Sequence, residues 1–142
     1  MKINEFIVEA TGNNYLYYAT SLAMISGILD TGIIKADQGT SKKPIIKTYN
    51  SKRYVESGKF PNSNNQGNAV IILLDRRAIA NQYRVVNTDN RYEEVILVPK
   101  GALPIRGKIQ GFYFNKPNEA DKANQSKYPW FQSVLNSPYL LN

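Results

Sequence analysis

Three short polar segments lie beside apolar stretches and carry side chains that could take part in catalysis or ligand binding: residues 17–21, 47–53 and 91–94. The chain contains neither His nor Cys. Ser-His-Asp hydrolysis, thiolate catalysis, disulfides and His-ligated zinc are therefore excluded, and no metal site is expected. Any proton transfer or charge stabilisation must come from Glu, Asp, Lys or Tyr.

The first polar segment belongs to a predicted strand–helix–strand unit. Residues 15–19 have the aromatic pattern of a strand, and Ser21 is a plausible N-cap for a helix over 22–30. Gly32 fits a left-handed helix stop, and a second strand starts at Ile33. The apolar face of the helix consists of Leu22, Ile25, Ile28 and Leu29.

The rest of the chain is dominated by short strands. Asp75 is placed to cap a short helix over 76–81, and residues 128–135 predict a terminal helix. The predicted strands are 45–49, 69–74, 83–86, 92–98 and 105–114. This pattern predicts an α+β fold: a mixed, mainly antiparallel sheet of short strands with an early helix and a C-terminal helix.

The length of 142 residues fits one domain. Residues 11–14 have turn chemistry and separate a leader, residues 1–10, from a single body, residues 11–142. Within the leader, residues 3–8 suit either a short helix or a strand. Residues 57–68 are rich in Asn, Ser and Gly and are predicted to be a loop.

Two pieces of the opening unit resemble ADP-ribosyltransferases, enzymes that open NAD: Leu16-Tyr17-Tyr18-Ala19-Thr20 and Ile28-Leu29-Asp30-Thr31-Gly32-Ile33. The resemblance implies that Tyr18 stands where His or Arg contacts the ribose or phosphate of NAD. It also implies that the main-chain amide of Ala19 holds the nicotinamide carboxamide. Tyr18, Ala19 and Thr20 are the expected cofactor-binding residues of this strand. A tyrosine donates a hydrogen bond but carries no positive charge, which departs from the family pattern.

The second polar segment supplies further cofactor-binding candidates by the same resemblance. In the family, the next core strand carries a hydroxyl that supports the catalytic carboxylate and an aromatic ring that stacks on nicotinamide. The candidates for these roles are Thr48, Tyr49, Ser51 and Arg53.

The third segment, Arg91-Tyr92-Glu93-Glu94, precedes an apolar strand, where the family places its catalytic Glu. Cleavage of the glycosidic bond of NAD builds positive charge on the ribose, and a fixed carboxylate stabilises that charge. Glu94 is the expected catalytic residue because it abuts the apolar run. Strand alternation predicts that Tyr92 lies on the same face as Glu94 and that Glu93, the second choice for the catalytic carboxylate, points to the other side. By the resemblance, Tyr92 occupies the residue-activating position two residues before the catalytic Glu, where the family often carries Gln or Glu.

The charge of the chain indicates polyanionic partners. The formal net charge is +7 and the pI is about 9.6. Many basic residues fall between Lys35 and Lys59, which suits either a solvated loop or a surface facing the phosphates of NAD, a nucleic acid or an acidic protein. No apolar run approaches about 18 residues, so no membrane span is expected.

The leader carries a second resemblance. Ile7-Val8-Glu9-Ala10 is similar to the Ile/Leu-x-Glu cleavage sites of the prohead proteases of tailed bacteriophages. Some of these phages package ADP-ribosyltransferases in the capsid. The resemblance implies a phage protein that begins at Ala10 after cleavage and acts in the bacterial cytoplasm, delivered there from the virion.

The leading hypothesis is a phage ADP-ribosyltransferase that uses NAD as substrate and a host protein or nucleic acid as acceptor. One alternative is a non-catalytic phage protein that keeps the fold and binds a partner, as a host-factor inhibitor or virion component. Another is a small nucleic-acid-binding protein, since ten Tyr, five Phe and a basic balance suit base stacking and phosphate contact.

Overall fold

A computed structural model describes residues 14–36, 43–57, 70–115 and 128–141. The predicted leader, the predicted turn through residue 13 and residues 58–68 of the predicted loop lie outside this part of the chain. The elements, in chain order, are β1 (Tyr15–Thr20), α1 (Leu22–Thr31), β2 (Ile33–Lys35), β3 (Ile45–Tyr49), α2 (Lys52–Ser57), β4 (Val70–Asp75), α3 (Arg76–Ala80), β5 (Arg84–Asn87), β6 (Glu93–Leu97), β7 (Ala102–Pro104), β8 (Ile109–Phe114) and α4 (Phe131–Leu135).

The predicted fold class is confirmed. A six-stranded sheet in the order β5-β6-β3-β1-β4-β8 is antiparallel throughout, and β2 and β7 form a separate two-stranded sheet. The early helix α1 and the C-terminal helix α4 are both present. The order brings β1, β3 and β6, which carry the three polar segments, side by side in the middle of the sheet.

Local sequence signals set the ends of the predicted helices. Gly32 has φ of 70° and donates its N–H to Ile28 O at 2.8 Å, so it ends α1 in the left-handed conformation that glycine adopts readily. Asp75 caps α3, since its Oδ1 accepts the N–H of Ala78 at 3.1 Å. Ser21 precedes α1, and its carbonyl accepts hydrogen bonds from the N–H groups of Met24 and Ile25. Its side chain makes no capping hydrogen bond.

Two predicted elements begin well after their expected first residues. The strand predicted over 105–114 begins only at Ile109, because the chain turns at 105–108, where Gly107 has φ of 77° and Lys108 N–H donates to Ile105 O at 2.8 Å. Apolar residues on both sides of this turn gave the appearance of one strand. The terminal helix begins at Phe131, after a turn at 128–130.

Sequence periodicity does not predict helix α2. It has one buried residue, Val55, and otherwise polar or half-buried positions. Its first turn is closed by Ser51, whose carbonyl accepts from Val55 N–H at 3.1 Å.

Apolar side chains cover both faces of the large sheet. The larger cluster lies on the face that packs against α1 and α4, and its fully buried members include Leu16, Ile25, Ile46, Ile72, Ile96 and Phe112. The smaller cluster lies on the other face beneath α2 and contains Tyr17, Tyr49, Val55 and Ile71.

The outer edge of β8 is covered by the end of the chain. Phe112 N–H donates to Tyr139 O at 2.9 Å, and Leu141 N–H donates to Phe112 O at 2.8 Å. Gly111 permits this approach, because a Cβ added there would lie 2.6 Å from Leu141 Cγ.

Candidate functional site

The sheet has a short seam between β1 and β3. These two strands are in register at Tyr17↔Tyr49 alone, whereas β1 pairs with β4 at six positions and β3 pairs with β6 at five. The two halves of the sheet are therefore joined by few main-chain contacts at its centre, and β1 turns a weakly paired edge toward β3.

The main chain of Ala19 points toward that seam. Arg76 N–H donates to Asn14 O at 3.0 Å, so Asn14 and Arg76 form a hydrogen-bonded pair in the register between β1 and β4. Hydrogen-bonded pairs alternate along antiparallel strands, which aims the N–H and C=O of Ala19 away from β4. The amide that the family resemblance assigns to the nicotinamide carboxamide thus faces β3, two residues beyond the registered pair Tyr17↔Tyr49.

Thr48 and Glu94 lie directly opposite each other on β3 and β6. The side chains of Tyr18, Thr48 and Glu94 lie on one face of three adjacent strands, because Tyr18 packs against the larger core cluster and alternation puts Thr48 and Glu94 on the side of the buried Ile46 and Ile96. Thr48 is 0% exposed, and its Oγ1 donates to the main-chain oxygen of Glu94 at 2.8 Å.

The carboxylate of Glu94 is buried and held by two side chains. The residue is 3% exposed, on the face of the larger core cluster. Arg76 Nη1 donates to Oε2 at 2.7 Å, and Arg76 Nη2 lies 2.6 Å from Oε1. Asn50 Nδ2 also donates to Oε2, at 2.8 Å. The guanidinium fork compensates the buried charge, as a desolvated carboxylate requires.

The two oxygens of Glu94 are not equivalent. Oε2 accepts two aligned hydrogen bonds, from Arg76 and Asn50. Oε1 is close to Arg76 Nη2 but has no aligned hydrogen-bond donor among the described residues, although it is buried. The short distance and the missing hydrogen bond together indicate an ionic contact of poor angle. Oε1 consequently retains capacity to accept a hydrogen bond.

Asn50 ties the end of β3 to the start of β6. Its Nδ2 also donates to Arg91 O at 3.0 Å, and its main-chain N–H donates to Tyr92 O at 2.9 Å. Because these two bonds do not involve Arg76, Asn50 holds the beginning of β6 independently of the ion pair.

Tyr92 does not share the face of Glu94, so that prediction is wrong. Strand β6 begins at Glu93, and the ring of Tyr92 stacks on Tyr54 with centroids 4.5 Å apart. Tyr54 packs in turn against Tyr49, at 5.7 Å, on the opposite face of the sheet. Strand alternation does not extend to Tyr92, because the residue belongs to the turn before the strand.

Tyr49 and Glu93 are register partners on that opposite face. Burial is the main cause that raises the pKa of Tyr49 to about 12, with Glu93 and then Tyr54 adding to it. The phenol of Tyr49 is therefore neutral across the ordinary pH range and is separated from Thr48 and Glu94 by the sheet itself.

Neither Ser51 nor Arg53 lies in a core strand, since Ser51 immediately precedes α2 and Arg53 belongs to it. Ser51 Oγ accepts the N–H of Tyr54 at 3.2 Å and thereby caps the helix, and Arg53 is exposed on its surface. Thr20 is buried at the end of β1, on the face of Tyr18. The structure thus places Tyr18, Thr20, Thr48 and Glu94 on one face of the sheet, with Thr48 and Glu94 in direct contact, and turns Ser51, Arg53, Tyr49 and Tyr92 elsewhere.

Arg76 and Asn50 are the site residues that sequence reasoning missed. Asn50 follows a predicted strand, and Arg76 follows the capping residue Asp75. The available signal was the position of Arg76 directly after a strand predicted to be buried, where a guanidinium can pair with an anion at the end of the sheet.

Other features of the described residues bear on cofactors and partners. Lys43, Lys47, Lys52 and Arg53 of the basic region are exposed. In the described ranges, no group of three or more His, Cys, Asp or Glu residues is placed to hold a metal ion. Among the same residues, no helix combines the length and apolar character needed to cross a membrane.

Comparison of the chain with known proteins found no matching family model, no matching curated protein and no matching solved structure.

Proposed function

We propose that this protein transfers ADP-ribose from NAD to a macromolecular acceptor and that Glu94 is its catalytic carboxylate. The observation that carries the proposal is the position of Tyr18, Thr48 and Glu94 on one face of three adjacent strands. These strands are far apart in the chain, and the sheet order that makes them neighbours supports a shared role for the three motif residues.

The seam between β1 and β3 is the proposed position of the nicotinamide end of NAD. The N–H and C=O of Ala19 face the seam, and a carboxamide has one acceptor and two donors with which to pair them. Tyr18 and Thr20 stand beside it on the face of Glu94. The phenol of Tyr18 is the proposed hydrogen-bond donor to the ribose or phosphate.

The proposed chemistry needs one fixed negative charge. The bond between the ribose C1′ and the nicotinamide nitrogen breaks, and its electron pair neutralises the pyridinium ring. The positive charge that develops on the sugar is stabilised by Glu94, whose Oε1 retains capacity to accept a bond from a sugar hydroxyl. A nucleophile of the acceptor then attacks C1′ and loses its proton.

The charge of the chain supports an acidic acceptor. The net charge of +7 attracts polyanions, and the exposed basic residues near β3 and α2 offer a contact surface. The proposed acceptor is a host protein or nucleic acid. The proposed setting is the cytoplasm of a bacterium infected by a tailed phage, after delivery from the virion.

The decisive experiment compares Glu94→Gln with Glu93→Gln in a reaction containing labelled NAD and a bacterial lysate. Both variants remove one negative charge at neighbouring positions, but only Glu94 lies on the face of Tyr18 and Thr48. Loss of the charge that opposes the sugar cation should lower transfer by about 100-fold or more. Transfer by Glu93→Gln should stay near the wild-type rate. Equal transfer by wild type and Glu94→Gln would contradict the proposal.

A second function, a non-catalytic binding protein, is favoured by one specific observation. The charge of Glu94 is already matched by Arg76, at 2.6 and 2.7 Å, and the residue is 3% exposed. A carboxylate that stays in this pair gives little stabilisation to a second cation. Calorimetry separates the two functions, since a transferase releases or absorbs heat on NAD addition and the non-catalytic protein does not.

A further inference from the structure

We propose that Arg76 is a displaceable latch on Glu94: its guanidinium holds the carboxylate before the dinucleotide binds and moves to the pyrophosphate when it binds. The inference rests on the proposed function for its ligand, and it assigns a role to a residue outside the family motifs. Arg76 is in this sense a positioning residue, since it acts through Glu94.

The first step of the argument is the difference in exposure between the two partners. The side chain of Glu94 is 3% exposed, whereas that of Arg76 is 31% exposed. Because the carboxylate is almost fully buried and the guanidinium is partly solvated, we expect the ion pair to open by movement of the guanidinium. A long, partly solvated arginine on the first turn of a short helix is suited to that movement.

The second step is that the carboxylate keeps its place when the guanidinium leaves. Asn50 donates to Glu94 Oε2 at 2.8 Å and to Arg91 O at 3.0 Å. Thr48 holds the main-chain oxygen of Glu94 at 2.8 Å. These bonds do not depend on Arg76, so displacement changes the charge balance around Glu94 more than its position.

The third step concerns the exchange itself. A guanidinium fork matches the geometry of a carboxylate and of a phosphate, and a pyrophosphate carries more than one negative charge. Leaving a buried carboxylate unpaired is costly, which keeps the latch closed in the absence of ligand. A dinucleotide, like ADP-ribose, supplies a partner for each side of the opened pair: a phosphate for Arg76, and a ribose hydroxyl that donates a hydrogen bond to Oε1 of Glu94.

The test uses ADP-ribose, which contains the pyrophosphate and ribose but has no nicotinamide to lose. Titration is followed by the Nε–Hε resonance of Arg76 in nuclear magnetic resonance spectra, identified by its disappearance in Arg76→Lys. The latch predicts that this resonance shifts on saturation with ADP-ribose. The matched control is Arg77→Lys, an exposed neighbour on the same helix, which should retain the wild-type affinity.

Glu94→Gln provides the opposing measurement. Because Arg76 no longer has to break an ion pair, this variant should bind ADP-ribose about tenfold more tightly than wild type, which corresponds to about 1.4 kcal/mol. Circular dichroism checks that Glu94→Gln is folded. If this variant does not fold, the shift of the Arg76 resonance in the wild-type protein provides the test. Absence of ADP-ribose binding, an Arg76 resonance unmoved at saturation, or a folded Glu94→Gln that binds no more tightly would overturn the latch. Failure of the wild type to transfer ADP-ribose while the resonance still shifts would overturn the proposed function and leave the latch standing.

Discussion

Arg76 and Glu94 form a two-armed ion pair between the start of α3 and the start of β6, with Nη1–Oε2 at 2.7 Å and Nη2–Oε1 at 2.6 Å. The pair joins residues from distant parts of the sheet, since β4, which precedes Arg76, and β6 are separated by β1 and β3. It therefore spans the seam that divides the sheet. We expect both the stability of the fold and the proposed chemistry to depend on this contact.

Removal of the guanidinium should destabilise the fold strongly. Arg76→Ala leaves a carboxylate that is 3% exposed without its counter-ion, which should cost about 3–5 kcal/mol of unfolding free energy. Urea denaturation measures the effect, and Arg77→Ala, on the exposed side of the same helix, is the control. A loss for Arg76→Ala no larger than for Arg77→Ala would show that the charge of Glu94 is compensated in another way.

The hydroxyl of Thr48 should contribute to the stability of the fold and to the proposed transfer activity. Thr48→Val keeps the shape of the side chain but removes the donor to Glu94 O, a buried bond of 2.8 Å, at a cost of about 1–3 kcal/mol. Thr48→Ser keeps the hydroxyl and should recover most of the transfer activity that Thr48→Val loses. Comparable activity in the two variants would indicate that side-chain volume, rather than the hydrogen bond, supports the carboxylate.

Alkaline pH should weaken the fold through Tyr49. Burial, Glu93 and Tyr54 raise its pKa from 10.0 to about 12, so the folded chain holds this proton more tightly than the unfolded chain. The associated stability is fully present below pH 10 and is lost as the pH rises from 10 toward 12. Unfolding free energies measured across this interval should fall less steeply for Tyr49→Phe than for wild type. Parallel slopes for the two proteins would refute the role of Tyr49.

The neutral side chain at position 18 should limit NAD binding. Tyr18→His installs the residue type that the family resemblance implies, and it is positively charged below a pKa of about 6.5. Calorimetry should therefore show tighter NAD binding than wild type on the acidic side of this value and little gain on the alkaline side. A gain independent of pH would point to the size of the ring rather than its charge.

Local sequence patterns determined much of the fold. The apolar spacing of Leu22, Ile25 and Ile28 specified α1, Gly32 specified its end, and Asp75 specified the start of α3. These features depend on neighbours within a few residues, because helical and strand periodicity and capping are short-range effects. The order of the polar segments in the chain also selected Tyr18, Thr48 and Glu94 as candidates, although not their mutual geometry.

The tertiary structure alone decided the environment of the candidate carboxylate. Arg76 and Asn50 reach Glu94 from 18 and 44 residues away along the chain. It also decided that Tyr92 packs on Tyr54, behind the sheet from Glu94, because the strand begins one residue after it. Sequence periodicity records which face a residue occupies within its own element, but it holds no information on which distant charge meets it there. That pairing is fixed by strand order and register, which arise only when the whole sheet packs.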